Sequence, residues 1–160
     1  MSEEQKYTEQ EAHKFFGVSL HNLVWQLLGQ TERSPEENEK MIKAAFASCY
    51  HWGEVGTAVN QARGEWMISH VFAILNRPAQ ALHHARRSLE ICQGNNFGGF
   101  DLAYAYEAMG RALAAGADAT EKTEAEHYLN LAQIQAQQIK DPEDRKIFEK
   151  DLAAEPWHGI

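Results

Sequence analysis

The stretch ARGEWMISHVFAILNRPAQALHHARRSLEIC, residues 62–92, predicts two helices joined by a short break. Apolar residues recur three and four positions apart in both halves: Ile68, Val71, Phe72 and Leu75, then Leu82, Ala85 and Leu89. This is the spacing of an amphipathic α-helix. Asn76-Arg77-Pro78 interrupts it, because a proline disfavours the helical conformation in the residue before it. The stretch therefore predicts a helix hairpin.

The same signals extend over the rest of the chain. A capping residue with an acid three positions on, which is typical of a helix start, occurs at Thr8, Ser34, Asp118 and Asp141. Glycines that follow apolar-periodic stretches, as helix stops do, occur at Gly29, Gly53, Gly94 and Gly116. These marks predict helices over 8–29, 37–52, 57–75, 78–93, 100–115, 121–139 and 143–153. Gly17 is expected to kink or split the first helix, and no alternating strand pattern is present.

The composition narrows the classes of partner. The 160 residues suit one domain, and the net charge of -8 disfavours binding to nucleic acid or to an anionic membrane surface. The acidic N-terminus MSEEQKYTEQ lacks the apolar region of a signal peptide, and no apolar run has the roughly 18 residues of a membrane span. Two cysteines outside any CxxC motif are expected to be core thiols. We therefore expect a cytoplasmic protein whose partner is a protein or a small molecule.

Residues 62–93 resemble a tetratricopeptide unit, in which small and large apolar residues hold fixed positions. The matching positions are Ile68-Ser69, Phe72 and Leu75-Asn76 in the first helix and Ala81, Ala85 and Ser88 in the second. Residues 103–136 resemble the unit once an insertion is allowed, and residues 8–52 do so in outline through Trp25 and Leu28-Gly29. The runs YHWGEVGTAVNQARGEWMISHVFAIL and FDLAYAYEAMGRALAAGAD also resemble a bacterial family without an assigned activity.

The tetratricopeptide resemblance implies a fold. It implies a single all-α domain over residues 1–160, with about seven helices in antiparallel hairpins that stack as a short right-handed superhelix. Its units would cover 8–52, 57–93 and 100–139, and a closing helix would cover 143–153.

The resemblance also implies a binding surface, because tetratricopeptide proteins bind extended peptides or partner helices on a concave face lined by the first helix of each unit. Carried over by position, six residues belong to that face: Arg63, Trp66, His70, Tyr104, Glu107 and Arg111. Each trio lies on one side of its helix. Arginine offers a planar fork for a carboxylate, and the aromatic rings offer rigid contact area. We expect a groove for a peptide, including one with an acidic group.

Three other interpretations stay open. The six residues could instead tie neighbouring helices together, since Glu107 and Arg111 have the spacing of an ordinary intrahelical ion pair. A small metal-dependent helical enzyme is a second interpretation, and its scattered ligands would be His51, His70 and His127. The apolar tail around Trp157 is expected to dock onto the body or onto a second copy, and in a homo-oligomer it would fill the groove.

Catalytic signatures are missing from the sequence. It contains no GxSxG motif, no phosphate-binding GxxxxGK[ST] and no GxGxxG after a strand. We therefore expect no catalytic residue, no resident metal and no cofactor. The expected function is that of a non-enzymatic protein-interaction or scaffold module.

Overall fold

The computed structural model describes residues 3–116 and 118–160, and within these ranges every regular element is an α-helix. The helices are α1 Glu9–Leu28, α2 Pro35–Val55, α3 Ala58–Ile74, α4 Pro78–Gly94, α5 Gly99–Ala114, α6 Ala119–Ala136 and α7 Pro142–Ala153. The all-α fold class is therefore confirmed. One predicted stop is wrong, because α2 continues through Gly53 to Val55.

The helix starts have the caps that the sequence predicts. The Glu11 amide donates to Thr8 Oγ1 at 3.1 Å, and the Thr8 amide donates to the Glu11 carboxylate at 2.8 Å. Ser34 and Glu37 repeat this reciprocal pair at 3.1 and 3.2 Å. Such pairs satisfy backbone N–H groups that have no partner inside the helix. Local chemistry thus sets where these helices begin.

Asparagine, and not glycine, turns the chain after α3 and α4. Asn76 and Asn96 both have φ of 56°, in the left-handed region that asparagine tolerates better than most residues. Just after Asn76, the Arg77 amide donates back to the Phe72 carbonyl at 2.8 Å, as in a Schellman motif. The break at residues 76–78 therefore reverses the chain and lets α4 pack against α3.

Consecutive helices form pairs. The most extensive contacts join α1 to α2, α3 to α4 and α5 to α6, while α2–α3, α4–α5 and α3–α5 contacts link one pair to the next. Helix α7 packs on α5 and α6. In the α3–α4 pair, Ser69 Oγ donates to the Ala81 carbonyl and Ser88 Oγ donates to the Ala62 carbonyl, both at 2.8 Å. Small residues at these positions let the two backbones approach closely.

Gly17 does not split α1, which is one helix from Glu9 to Leu28. The indole of Trp52 on α2 packs against this glycine, and a Cβ at Gly17 would lie 2.9 Å from Trp52 Nε1. The glycine therefore gives room for a close helix contact. No helix in the described ranges combines the length and the apolar character that crossing a membrane demands.

Candidate binding site

A cavity of about 170 Å³ opens between α1, α3 and α5. Its lining residues are His21, Trp25, Ala62, Arg63, Trp66, Ser88, Phe100, Asp101 and Tyr104. Four of these are aromatic residues with large apolar rings, so most of the wall is apolar. Three of the six residues that the sequence assigns to a groove lie here, namely Arg63, Trp66 and Tyr104.

Stacked rings build the wall of the cavity. Trp25 on α1 stacks on Trp66 on α3 with ring centroids 6.0 Å apart and an interplanar angle of 28°. One turn further along α3, His70 stacks on Trp66 with ring centroids 4.9 Å apart at 14°, and its ring centroid lies 6.5 Å from that of Trp25. Tyr104 on α5 meets Trp66 edge-on at 5.1 Å. Each of these rings therefore packs against at least one other ring of the group.

An ion pair links α3 to α5 at the rim. Arg63 Nε donates to Asp101 Oδ1 at 2.7 Å, and its Nη2 donates to Asp101 Oδ2 at 3.3 Å. The guanidinium also lies 5.5 Å from the ring centre of Phe100. The Arg63 side chain is 54% exposed, so it remains accessible from solvent while it is paired.

Glu107 and Arg111 lie in the interior, which corrects the expectation that they face a solvent-filled groove. They are 1% and 2% exposed. Arg111 Nε donates to Glu107 Oε1 at 2.5 Å, and Trp66 Nε1 donates to Glu107 Oε2 at 2.7 Å. The carboxylate therefore joins α3 to α5 beneath the aromatic wall. For these two residues the structural interpretation, that they tie neighbouring helices together, describes the contacts.

The rest of the Arg111 guanidinium holds the tail of the same chain. Its Nη1 donates to the carbonyls of Ala154 and Pro156 at 2.8 and 3.0 Å, and its Nη2 donates to the Asp151 carbonyl at 3.0 Å. The guanidinium lies 4.4 Å from the ring centre of Trp157, which is 5% exposed. The tail is thus docked on its own body.

Two polar groups behind the wall are held uncharged. Burial lowers the pKa of His70, and its Nδ1 is buried with no hydrogen-bond partner among the described residues. Burial also raises the pKa of Tyr104, as does the hydrogen bond that its hydroxyl donates to Asp151 Oδ2 at 2.6 Å. Near neutral pH this side of the cavity therefore presents neutral rings.

The sequence interpretation did not assign three lining residues of the cavity to a site, namely His21, Phe100 and Asp101, and it noted Trp25 only as a repeat position. The spacing could have found two of them, since His21 and Trp25 are four apart on α1 and Trp25 Nε1 donates to His21 Nε2 at 3.0 Å. Asp101 pairs across helices, so only the packing of α5 on α3 identifies it.

The three histidines that the sequence offers as metal ligands lie on three different helices. His51, His70 and His127 lie on α2, α3 and α6. Within residues 3–116 and 118–160, no three histidine, cysteine, aspartate or glutamate side chains are placed to hold a metal ion. Cys49 and Cys92 are free thiols.

The chain matches no protein-family model, no curated protein and no solved structure. The tetratricopeptide resemblance therefore rests on the residues quoted above and stays a prediction.

Proposed function

We propose that the chain is a non-enzymatic interaction module that binds a peptide segment of a partner protein. The aromatic cavity between α1, α3 and α5 would receive one apolar side chain of that segment. The observation that supports this proposal is the cavity wall itself, in which Trp25, Trp66 and Tyr104 surround an open space with apolar surface. Concave, mostly apolar sites with a few polar groups at the rim are typical of ligand binding.

The volume of the cavity limits which side chain of the peptide it can hold as an anchor. A cavity of about 150 Å³ lined by apolar side chains binds a benzene molecule. At about 170 Å³, this cavity matches a single aromatic ring or a branched aliphatic side chain. Buried anchors of this kind supply most of the affinity in many interfaces.

The side chains around the aromatic cavity are already held in position, which favours binding there. Trp66 is fixed by the hydrogen bond to Glu107, and the rim is fixed by the ion pair between Arg63 and Asp101. A wall that is already ordered loses little side-chain entropy when a partner binds, so more of the contact energy appears as affinity. The tetratricopeptide resemblance supports the same surface, because Arg63, Trp66 and Tyr104 are groove positions in that pattern.

Selection from a displayed library of random peptides tests the proposal. We expect enriched peptides to share an aromatic or branched aliphatic residue. Trp25→Ala removes one wall of the cavity and should abolish most of the binding of these peptides. Trp25 is 40% exposed, so its loss should leave the domain folded, which thermal unfolding followed by circular dichroism checks.

Tyr50→Ala is the matched control. Tyr50 is a large aromatic residue on α2 that is 62% exposed and lies outside the cavity lining. This variant should bind the selected peptides as the wild type does. Enriched peptides without an apolar anchor, no enrichment at all, or full binding by Trp25→Ala would each contradict the proposal.

A further inference from the structure

A second cavity, of about 190 Å³, lies next to the aromatic one. Its lining residues are Val18, His21, Ala45, Ser48, Trp52, Asn60, Arg63, Gly64 and Met67. His21 and Arg63 line both cavities, so the two spaces meet at these side chains. A ligand that fills the aromatic cavity therefore has a second space directly beside it.

The lining of the second cavity differs in charge from the chain as a whole. The protein carries 23 acidic and 15 basic residues, yet none of the described lining residues of this cavity is an aspartate or a glutamate. Arg63 is the charged residue of this lining, and it is paired with Asp101. Its partner Asp101 lines the aromatic cavity and not this one, and the hydrogen bonds to Asp101 use Nε and Nη2 of the guanidinium and not Nη1.

Two neutral polar side chains of this cavity, His21 and Asn60, have N–H groups that can donate hydrogen bonds. An indole N–H can only donate, so the bond from Trp25 makes His21 Nε2 the acceptor and puts the proton of the neutral ring on Nδ1. Burial lowers the pKa of His21, which favours this neutral form. Asn60 Oδ1 accepts from the Thr57 amide, which leaves the Asn60 NH₂ group to donate. Arg63 and these donors suit an anionic oxygen.

We propose that the two cavities form one bipartite site, which binds a peptide with an apolar anchor in the aromatic cavity and an aspartate or glutamate carboxylate in the second, against Arg63. This inference rests on the proposed function and specifies the class of segment that the module binds. The carboxylate and the guanidinium form a charge-assisted pair at a site that is partly shielded from water.

Blocked synthetic peptides test the bipartite site. Each carries one phenylalanine and one glutamate at a different separation, and each has a twin with glutamine in place of glutamate. Calorimetry or NMR titration of the full chain gives the affinities. We expect at least one glutamate peptide to bind about tenfold more tightly than its twin, the effect of one charge-assisted hydrogen bond. Added salt should reduce the difference.

Two arginine variants separate the site from general charge effects. Arg63→Gln should remove the preference for glutamate, so that each glutamate peptide and its glutamine twin bind with equal affinity. Arg87→Gln is the matched control, because Arg87 is also 54% exposed and its Nε also pairs with a carboxylate, that of Glu65, at 3.0 Å. Arg87 lies outside both cavities, so this variant should keep the preference.

Asp101→Asn keeps Arg63 and should change the preference for glutamate in the opposite direction to Arg63→Gln. It removes the competing carboxylate from the guanidinium and should increase the preference for glutamate severalfold. Equal affinities for glutamate and glutamine twins, or a preference that persists in Arg63→Gln, would overturn the bipartite site and leave the aromatic anchor intact. Absence of binding by every phenylalanine peptide would refute both the bipartite site and the proposed function.

Discussion

Replacing Arg111 with methionine should lower the free energy of unfolding by about 3–5 kcal/mol, the usual cost of breaking a buried ion pair from one side. Arg111 is 2% exposed and donates to the Glu107 carboxylate and to three carbonyls within residues 151–156. Methionine fills part of the space but leaves a buried carboxylate with Trp66 as its remaining donor among the described residues. The three carbonyls also lose their partner.

Urea unfolding followed by far-UV circular dichroism measures this loss. A thermal melt gives a second measure of the loss. In a domain of this length, each kcal/mol lost from the free energy of unfolding lowers the melting temperature by about 2–4 °C, so we expect it to fall by about 6–20 °C. Trp157 should become more exposed, because the guanidinium that lies over its ring is gone. A loss below about 1 kcal/mol would refute the inference that this ion pair holds the tail and α5 together.

Two controls make the result specific. Arg63→Met breaks the exposed ion pair to Asp101 and should cost about 0–1 kcal/mol, because solvent screens that pair. Adding Glu107→Leu to Arg111→Met should recover part of the stability, because no uncompensated buried charge remains. A double variant that is less stable than Arg111→Met would contradict this explanation, and the full cycle gives the coupling energy.

Three further predictions concern the core. Gly64→Ala should cost about 1–3 kcal/mol in urea unfolding, because its Cβ would lie 2.7 Å from Cys49 Sγ, and Cys49→Ala in the same chain should restore most of it. If Cys49→Ala restores none of the stability that Gly64→Ala loses, the contact with Cys49 Sγ is not the cause of the loss. Burial lowers the pKa of His70 below its ordinary 6.5, so the unfolded chain binds a proton that the folded chain resists. Stability should therefore fall as the pH drops below about 6.5, and melts of His70→Phe at several pH values should show a smaller fall; an identical fall would contradict this. Burial raises the pKa of Cys49 and Cys92 to about 11, so near pH 8 a thiol reagent should label them about a hundredfold more slowly in the folded protein than in urea, and equal rates would be inconsistent with that shift.

Local patterns predicted the helices because the groups that define them are close in sequence. The reciprocal caps at Thr8 and Ser34 need only a partner three residues away, and both are present. Gly53 and Gly17 show the limit of this reasoning. Helix α2 continues through Gly53. Gly17 gives room for the indole of Trp52 on the next helix, a contact that the residues near Gly17 in sequence do not reveal.

The candidate site was predictable in part. The tetratricopeptide resemblance assigned Arg63, Trp66 and Tyr104 to one surface, and all three line the cavity. It could not separate them from Glu107 and Arg111, which follow the same spacing on α5. Those two are sealed in the interior because the tail at residues 154–157 lies over them, and the path of that tail depends on how α7 packs.

The sequence by itself therefore determined the all-α class, the approximate bounds of the helices and the residues that share a helix face, since each depends on interactions within about one turn. Only the tertiary structure decided which of those residues meet solvent. It placed Asp101 on Arg63, Glu107 under Trp66 and the tail over Arg111. Each contact joins residues about 40 positions apart, and burial is a property of the packed chain and not of any segment alone.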